Sequence, residues 1–224
     1  MKSHFFKILL FTGLLLVNFY TAFAQPDTQS IFMIGVKQGV NLSKINFVPT
    51  VDQTTTIGYT GGLAFKYISE KHVGIQMELN FSKRGWTENL DSGKSYKREL
   101  NYFEIPVLTH FIFGQKKTRA FLNVGPSFSF HLNNKESFHL PSVGDTLLYY
   151  GRKLDKNFEL GLVGGVGITQ STSLGDFQLE FRFLYGLQNI FAVDSKTDLG
   201  KSQNQLYGIT LSYYFFKKDY KANK

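Results

Sequence analysis

The sequence predicts an all-β fold, an eight-stranded antiparallel up-and-down transmembrane β-barrel. Three observations carry that expectation. Apolar and polar residues alternate with period two in eight segments, which is the mark of strands with two unlike faces. The apolar face is broad and aromatic while the other carries charges and glycines, as in a barrel with lipid outside and a polar interior. The connections alternate long and short, as up-and-down barrels require.

Phe177–Leu187 shows the pattern best. Phe177, Leu179, Phe181, Phe183, Tyr185 and Leu187 share one face, and Gln178, Glu180, Arg182, Leu184 and Gly186 the other. Taken in order, a first strand over about 34–43 sets Ile34, Val36, Val40 and Leu42 against Lys37, Gly39 and Asn41. A second, about 57–68, sets Tyr59, Leu63, Phe65 and Tyr67 against Thr60, Gly62, Ala64 and Lys66. A third, 73–83, sets Val73, Ile75, Met77, Leu79 and Phe81 against Gly74, Gln76, Glu78, Asn80 and Ser82. A fourth, about 100–113, carries Phe103, Ile105, Val107, Phe111 and Phe113 outward, with Tyr102, Glu104, Pro106, Leu108 and His110 inward. Pro106 removes a ladder donor, so a bulge or local break is expected there. The fifth strand spans 120–132 and the sixth 157–169, the latter with Glu159, Gly161, Gly165 and Gly167 on its inner face. Phe177–Leu187 is the seventh, and the eighth covers about 206–216.

Long connections are expected over 44–56, 85–99, 133–156 and 188–203, and short ones over 69–72, 114–118 and 170–176. Both termini then fall on the short-turn side, the periplasmic side in an outer membrane. Aromatic residues near the strand ends form two expected interfacial girdles. Tyr59, Trp86, Phe130, Phe158 and Tyr207 lie toward the loops, and Tyr67, Phe113, Phe177, Tyr213 and Phe215 toward the turns.

Lys2 and Lys7 precede an apolar run over Ile8–Val17, and Ala22-Phe23-Ala24 follows as a small-residue cleavage pattern. This reads as a Sec signal peptide cleaved after Ala24, too short for a spanning helix. The expected organisation is a signal peptide over 1–24, an outer-membrane barrel over 25–216 and a basic periplasmic tail over 217–224. The chain has no cysteine, which removes disulfides, thiolate zinc sites, thiol catalysis and lipid attachment through cysteine. It has 25 Lys and Arg against 17 Asp and Glu, and loss of Lys2 and Lys7 leaves 23 against 17, a net of +6. Export argues against a nucleic-acid partner, and the basic residues lie in turns and tail rather than in a stripe. They read as solvated charges near a membrane surface.

Four segments in order carry a family resemblance. Glu78-Leu79-Asn80-Phe81-Ser82-Lys83-Arg84-Gly85 closes a strand with K-x-G, and Asn101-Tyr102-Phe103-Glu104-Ile105-Pro106-Val107-Leu108 carries Y-x-E-I-P-x-L. Phe121-Leu122-Asn123-Val124-Gly125-Pro126 and Phe181-Arg182-Phe183-Leu184-Tyr185-Gly186-Leu187 complete the set. Together they resemble the PorT-family outer-membrane β-barrel domain common in Bacteroidetes. The resemblance implies an eight-stranded barrel in the outer membrane and no catalytic residues. Some relatives are linked to secretion or gliding machinery.

The inner face is expected to receive Lys37, Lys66, Glu78, Glu104, Glu159, Glu180 and Arg182. So narrow a barrel has little room beyond its own side chains, so these charges must pair. Lys37, Lys66, Glu78, Glu180 and Arg182 are expected in one network toward the turns, with Glu104 and Glu159 higher. A plug that holds the barrel together outweighs a proton or ion path. Inner-face glycines make room and do not form a phosphate loop, since no Lys-Ser/Thr follows them. No metal-ligand spacing occurs around the histidines, and no cofactor is expected. Trp86, Tyr96, Phe138, Tyr149, Tyr150 and Arg152 are the loop residues expected to recognise a partner. The leading expectation is a non-enzymatic barrel that contacts outer-membrane lipid and whose outer loops, above all 133–156, bind a partner such as an envelope protein or a surface polymer, or whose periplasmic side docks an envelope machine. The alternatives are a small barrel enzyme using His131 or His139 at the outer rim, and a soluble lipocalin-like binder.

Overall fold

In a computed structural model the described residues are 30–90, 94–139, 151, 154–191 and 200–220. The signal peptide and its cleavage site lie outside them, as do Tyr149, Tyr150 and Arg152. The strands are β1 (Ser30–Val48), β2 (Gln53–Ile68), β3 (Val73–Leu90), β4 (Lys94–Phe113), β5 (Thr118–His139), β6 (Phe158–Thr172), β7 (Gly175–Gly186) and β8 (Lys201–Tyr220). Each pairs antiparallel with its neighbour in sequence, and β8 closes on β1 into a barrel. Closure satisfies every strand edge inside the lipid, where no water is present to do so.

The outer surface is a belt of exposed apolar residues, among them Val40, Leu63, Phe81, Phe103, Val166, Phe181 and Ile209. Their inward neighbours along each strand are buried and mostly polar. Of the expected girdle residues, Tyr59, Phe130, Phe158 and Tyr207 face outward above this belt and Tyr67, Phe113 and Phe215 below it. Trp86 is a correction, because it points inward and is fully buried.

Several strands run past their expected ends. A strand needs about 9–11 residues to span, yet β3 has 18 and β4 has 20. The expected loop over 85–99 is therefore a strand hairpin, with Trp86 paired to Arg98 and Glu88 to Tyr96. The alternation continues here with its meaning inverted. Trp86, Tyr96 and Leu100 point inward, while Thr87, Lys97 and Glu99 point out. Outside the bilayer the surroundings are water, so polar residues take the outer face. A search for apolar-out strands stops at that boundary. On the hairpin's outer face Glu99 accepts from Lys83 at 2.8 Å and Lys97 at 2.9 Å. The Lys83 hydrogen bond chiefly holds its carboxyl below the usual range. That contribution is present at neutral pH and lost as acid protonates Glu99, and its exposure keeps it small.

The tail is a second correction. Lys217, Lys218, Asp219 and Tyr220 belong to β8 and pair with Met33, Phe32, Ile31 and Ser30. The register of β8 on β1 shifts between Ile34 and Gly35, and a further shift falls between Asn101 and Tyr102 on β4. At Pro106 the register holds on both sides, but the pairing with β3 lapses between Asn80–Glu104 and Met77–Val107. Missing donor and retained register together make a local break rather than a bulge.

Candidate functional site

The interior is filled in layers. At the short-turn end Met33, Ala64, Ile68, Ile112 and Tyr214 pack into an apolar floor. Above it Lys66, His110, Gln178 and Asn123 form a polar layer. Lys66 Nζ donates to Gln178 Oε1 and lies 4.4 Å from the centre of the Tyr214 ring. His110 Nδ1 and Asn123 Oδ1 are 2.7 Å apart. An interior void beside Lys66, His110, Arg119 and Asp176 measures about 10 Å³, room for about one water molecule.

The next layer is a four-charge cluster. Arg182 donates to Glu78 at 2.7 and 2.8 Å and to Glu180 at 2.8 and 3.3 Å. Lys37 reaches Glu78 at 2.9 Å and Glu180 at 3.6 Å. Gln76 and Asn80 donate to Glu78 at 2.6 and 2.8 Å, and Asn123 to Glu180 at 3.0 Å. Two cations and two carboxylates thus cancel, and amides supply further donors. A buried pair needs both conditions to repay its desolvation. The parity of β1, β3 and β7 delivers these residues from three separate strands. Lys66 joins only through amides, since Gln178 donates to Gln76 at 3.4 Å. Among the described residues it makes no ion pair.

Leu108, Val163, Leu184 and Leu206 form an aliphatic layer above. The register sets this order, with Gly165 opposite Arg182, Val163 opposite Leu184 and Gly161 opposite Gly186. A second charged cluster follows. Arg84 donates to Glu104, to Glu159 at 3.2 Å and to Ser129 at 3.2 Å. Asn204 donates to Glu159 as well. The two carboxylates weighed as a general acid–base pair are therefore both bound to one guanidinium. The outer mouth is closed by Ile45, Phe47, Trp86, Tyr96, Leu100, Tyr102, Ile190 and Phe191. The Trp86 ring meets Phe47, Tyr96 and Phe191 edge-on at centroid distances of 5.6, 6.1 and 6.3 Å. Its indole N–H donates to Glu88 at 2.6 Å. Ile190 and Phe191 come from the β7–β8 connection, and Ser202 Oγ accepts from the Phe191 amide at 3.1 Å.

Five interior cations, Lys37, Lys66, Arg84, Arg98 and Arg182, face six carboxylates, Glu78, Glu88, Glu104, Glu159, Asp176 and Glu180. The partly buried Arg119 pairs with Asp176 at 3.3 Å, and the partly buried Glu136 with Arg98 at 3.3 Å. Arg84, Arg98, Glu88 and Asp176 escaped the sequence reading. Arg84 follows Ser82 on the inner parity of β3, and Arg98 precedes Tyr102 on that of β4. Carrying the parity two residues past Ser82 and four before Tyr102 finds both.

Trp86 and Tyr96, expected in an exposed loop, are fully buried in the outer cap. They are corrected from recognition residues to packing residues. Phe138 lies in β5 paired to Tyr96, and its side chain is outside the described residues. His131 packs edge-on against Tyr102 at 5.5 Å, and among the described residues its Nε2 has no hydrogen-bond partner. An open cleft of about 570 Å³ lies at the outer rim, lined by Lys44, Asn46, Asp52, Gln53 and Gln205. Among the described residues no group of acidic and histidine side chains is arranged to hold a metal.

Glycine makes the lower cluster possible. A Cβ on Gly165 would lie 2.2 Å from Glu180 Oε1, whereas one on the neighbouring Gly164 meets nothing within 4 Å. Gly165→Ala is expected to cost about 1–3 kcal/mol through overpacking, and Gly164→Ala clearly less. Urea unfolding of the two variants in detergent measures the difference, and equal losses would show that the cluster tolerates displacement.

An apolar belt outside and a filled interior of paired charges and amides define a small transmembrane β-barrel. Residues 23–192 match the family model of the outer membrane protein beta-barrel domain. The chain belongs to that family and is an outer-membrane barrel in contact with lipid. Among solved structures it is similar to Ail, the attachment invasion locus protein of Yersinia pestis, at 12% identity and a TM-score of 0.43, covering 84% of this chain and 100% of that one. OprG of Pseudomonas aeruginosa is similar at 9% identity and a TM-score of 0.44, covering 88% of this chain and 98% of that one. The outer membrane enzyme PagL is similar at 13% identity and a TM-score of 0.44, covering 80% and 97%. No curated protein matches the chain.

Proposed function

We propose that this barrel is a non-enzymatic anchor or adaptor of PorT type, holding a binding surface for an envelope protein at one rim of the membrane. The single observation behind this reading is the layered interior. Two charged clusters, an aliphatic layer and apolar closures at both ends fill the space that a channel or an internal ligand site would need. Function then falls to the surfaces beyond the bilayer. The outer hairpins and the Lys44–Gln205 cleft form one, and the short-turn side the other. The leader over 1–24 belongs to the same proposal, and a mature chain beginning at Gln25 is its expected product by mass spectrometry.

The test is cross-linking of the tagged protein in its own outer membrane, followed by mild-detergent purification. A reproducible envelope protein, retained after loss of the bulk barrels, is the expected result. Recovery of folded barrel with no specific partner would overturn the adaptor reading. A second reading, a rim enzyme acting on lipid or peptide, draws on the unpartnered His131 Nε2. Turnover of lipid or peptide by the purified barrel, lost in His131→Gln, would favour it.

A further inference from the structure

The lower end of β8 carries a feature that barrel closure leaves unused. β7 pairs with β8 only as far as Asp176–Tyr214, because β7 begins at Gly175. β1 accompanies β8 on its other side to Ser30–Tyr220. From Phe216 to Tyr220 the strand has one edge paired to β1, Phe215 is bulged out of that ladder, and among the described residues nothing pairs with the other edge. All six residues are exposed. An unpaired edge presents a row of backbone donors and acceptors, a ready template for another strand. The segment holds no proline, and below the bulge at Phe215 five continuous pairs run with β1, from Ile34–Phe216 to Ser30–Tyr220; Lys217, Lys218 and Asp219 are the charges that guard this edge against an unmatched strand.

We propose that the Phe215–Tyr220 edge is a docking strand for an acidic, extended segment of a periplasmic protein, which adds to the sheet beside β8. This rests on the adaptor reading and assigns its short-turn side as the contact. Pairing of backbones supplies the affinity in such additions, and side chains supply the selectivity. Lys217 and Lys218 alternate across the two faces of the added sheet. Asp219 lies in the same segment, and Asp176 on the adjoining end of β7 is paired to Arg119, so the two lysines leave the edge net basic and select an acidic strand. The same charges disfavour a second copy of this chain, whose β8 end would bring lysine against lysine.

The full-length barrel, folded in detergent, would be mixed with a synthetic peptide of about eight residues alternating Val and Glu, or Val and Lys. Amide hydrogen exchange over 215–220 is the readout. The Val-Glu peptide is expected to slow exchange there at least tenfold, and the Val-Lys peptide not at all. Lys217→Glu with Lys218→Glu is expected to reverse that preference. A chain ending at Phe216 keeps the closed barrel above the register shift and is expected to lose the protection. Equal protection by both peptides, or by neither with the barrel folded, would overturn the proposal. So would amides at 215–220 already protected in the isolated protein, which would mean that the chain covers its own edge. Protection by phosphatidylglycerol vesicles and not by peptide would make the segment a lipid contact instead. In cells, a photo-cross-linker at Lys217 is compared with one at Asn134 on the outer side. Capture only from Asn134 retains the adaptor reading and removes this edge, whereas capture from neither removes the adaptor reading.

Discussion

Arg182→Met is expected to lower the stability of the barrel by about 3–5 kcal/mol, the cost of leaving buried charge without its partner. Arg182 donates to both carboxylates of the lower cluster, and Lys37 alone then faces Glu78 and Glu180. Lys37 lies farther from Glu180, at 3.6 Å, so that carboxylate loses most. Replacing both ends, Arg182→Met with Glu180→Gln, removes one charge of each sign. The double variant is expected to recover a good part of the loss, because a balanced pair is replaced rather than broken. Urea titration followed by the mobility difference between folded and unfolded barrel on unheated gels gives both values. A single-variant loss below about 1 kcal/mol, the range of exposed pairs, would mean that water reaches the cluster. The filled interior would then have to be reconsidered.

Trp86→Ala is the second large effect, about 3–5 kcal/mol for a fully buried aromatic side chain, and its location separates it from the first. Trp86 lies above the apolar belt, in the cap with Phe47, Tyr96 and Phe191. Its loss opens a cavity there and strips Glu88 of the indole donor. The outer hairpin and the Ile190–Phe191 closure are expected to exchange amide hydrogens much faster, while the strands inside the belt remain protected. Hydrogen exchange resolved by segment reads this directly. The outcome also decides what Trp86 does. Loss of an outer partner with unchanged exchange would return it to recognition, whereas local loosening identifies it as packing. Conductance adds a check, since the charged clusters below are expected to keep even this variant closed in planar bilayers.

The alternation of residues was enough to derive most of the architecture. Period two with an aromatic face, as in Phe177–Leu187, has one stable arrangement when the polar face carries Glu180 and Arg182, and that arrangement is a closed barrel in lipid. Parity alone also assigned Lys37, Lys66, Glu78, Glu104, Glu159, Glu180 and Arg182 to the interior, because a strand offers each residue only two directions. What parity lacks is depth and azimuth. It holds no information on which inward residues of different strands meet across the lumen. Lys66 was grouped with the lower charges, yet the stagger of β2 against β7 brings it to Gln178 and the Tyr214 ring. Arg84 was lost because the search required apolar residues outside, a condition that ends with the bilayer.

The sequence by itself therefore determined the strand number, the inward and outward faces and the membrane setting, because each follows from local period and composition. The tertiary structure alone decided how the charges pair, that Trp86 and Tyr96 close the mouth instead of meeting a partner, and that β8 outlasts β7 by six residues. These depend on register between strands distant in the chain. Register is set by the summed fit of all eight ladders, which no single segment contains.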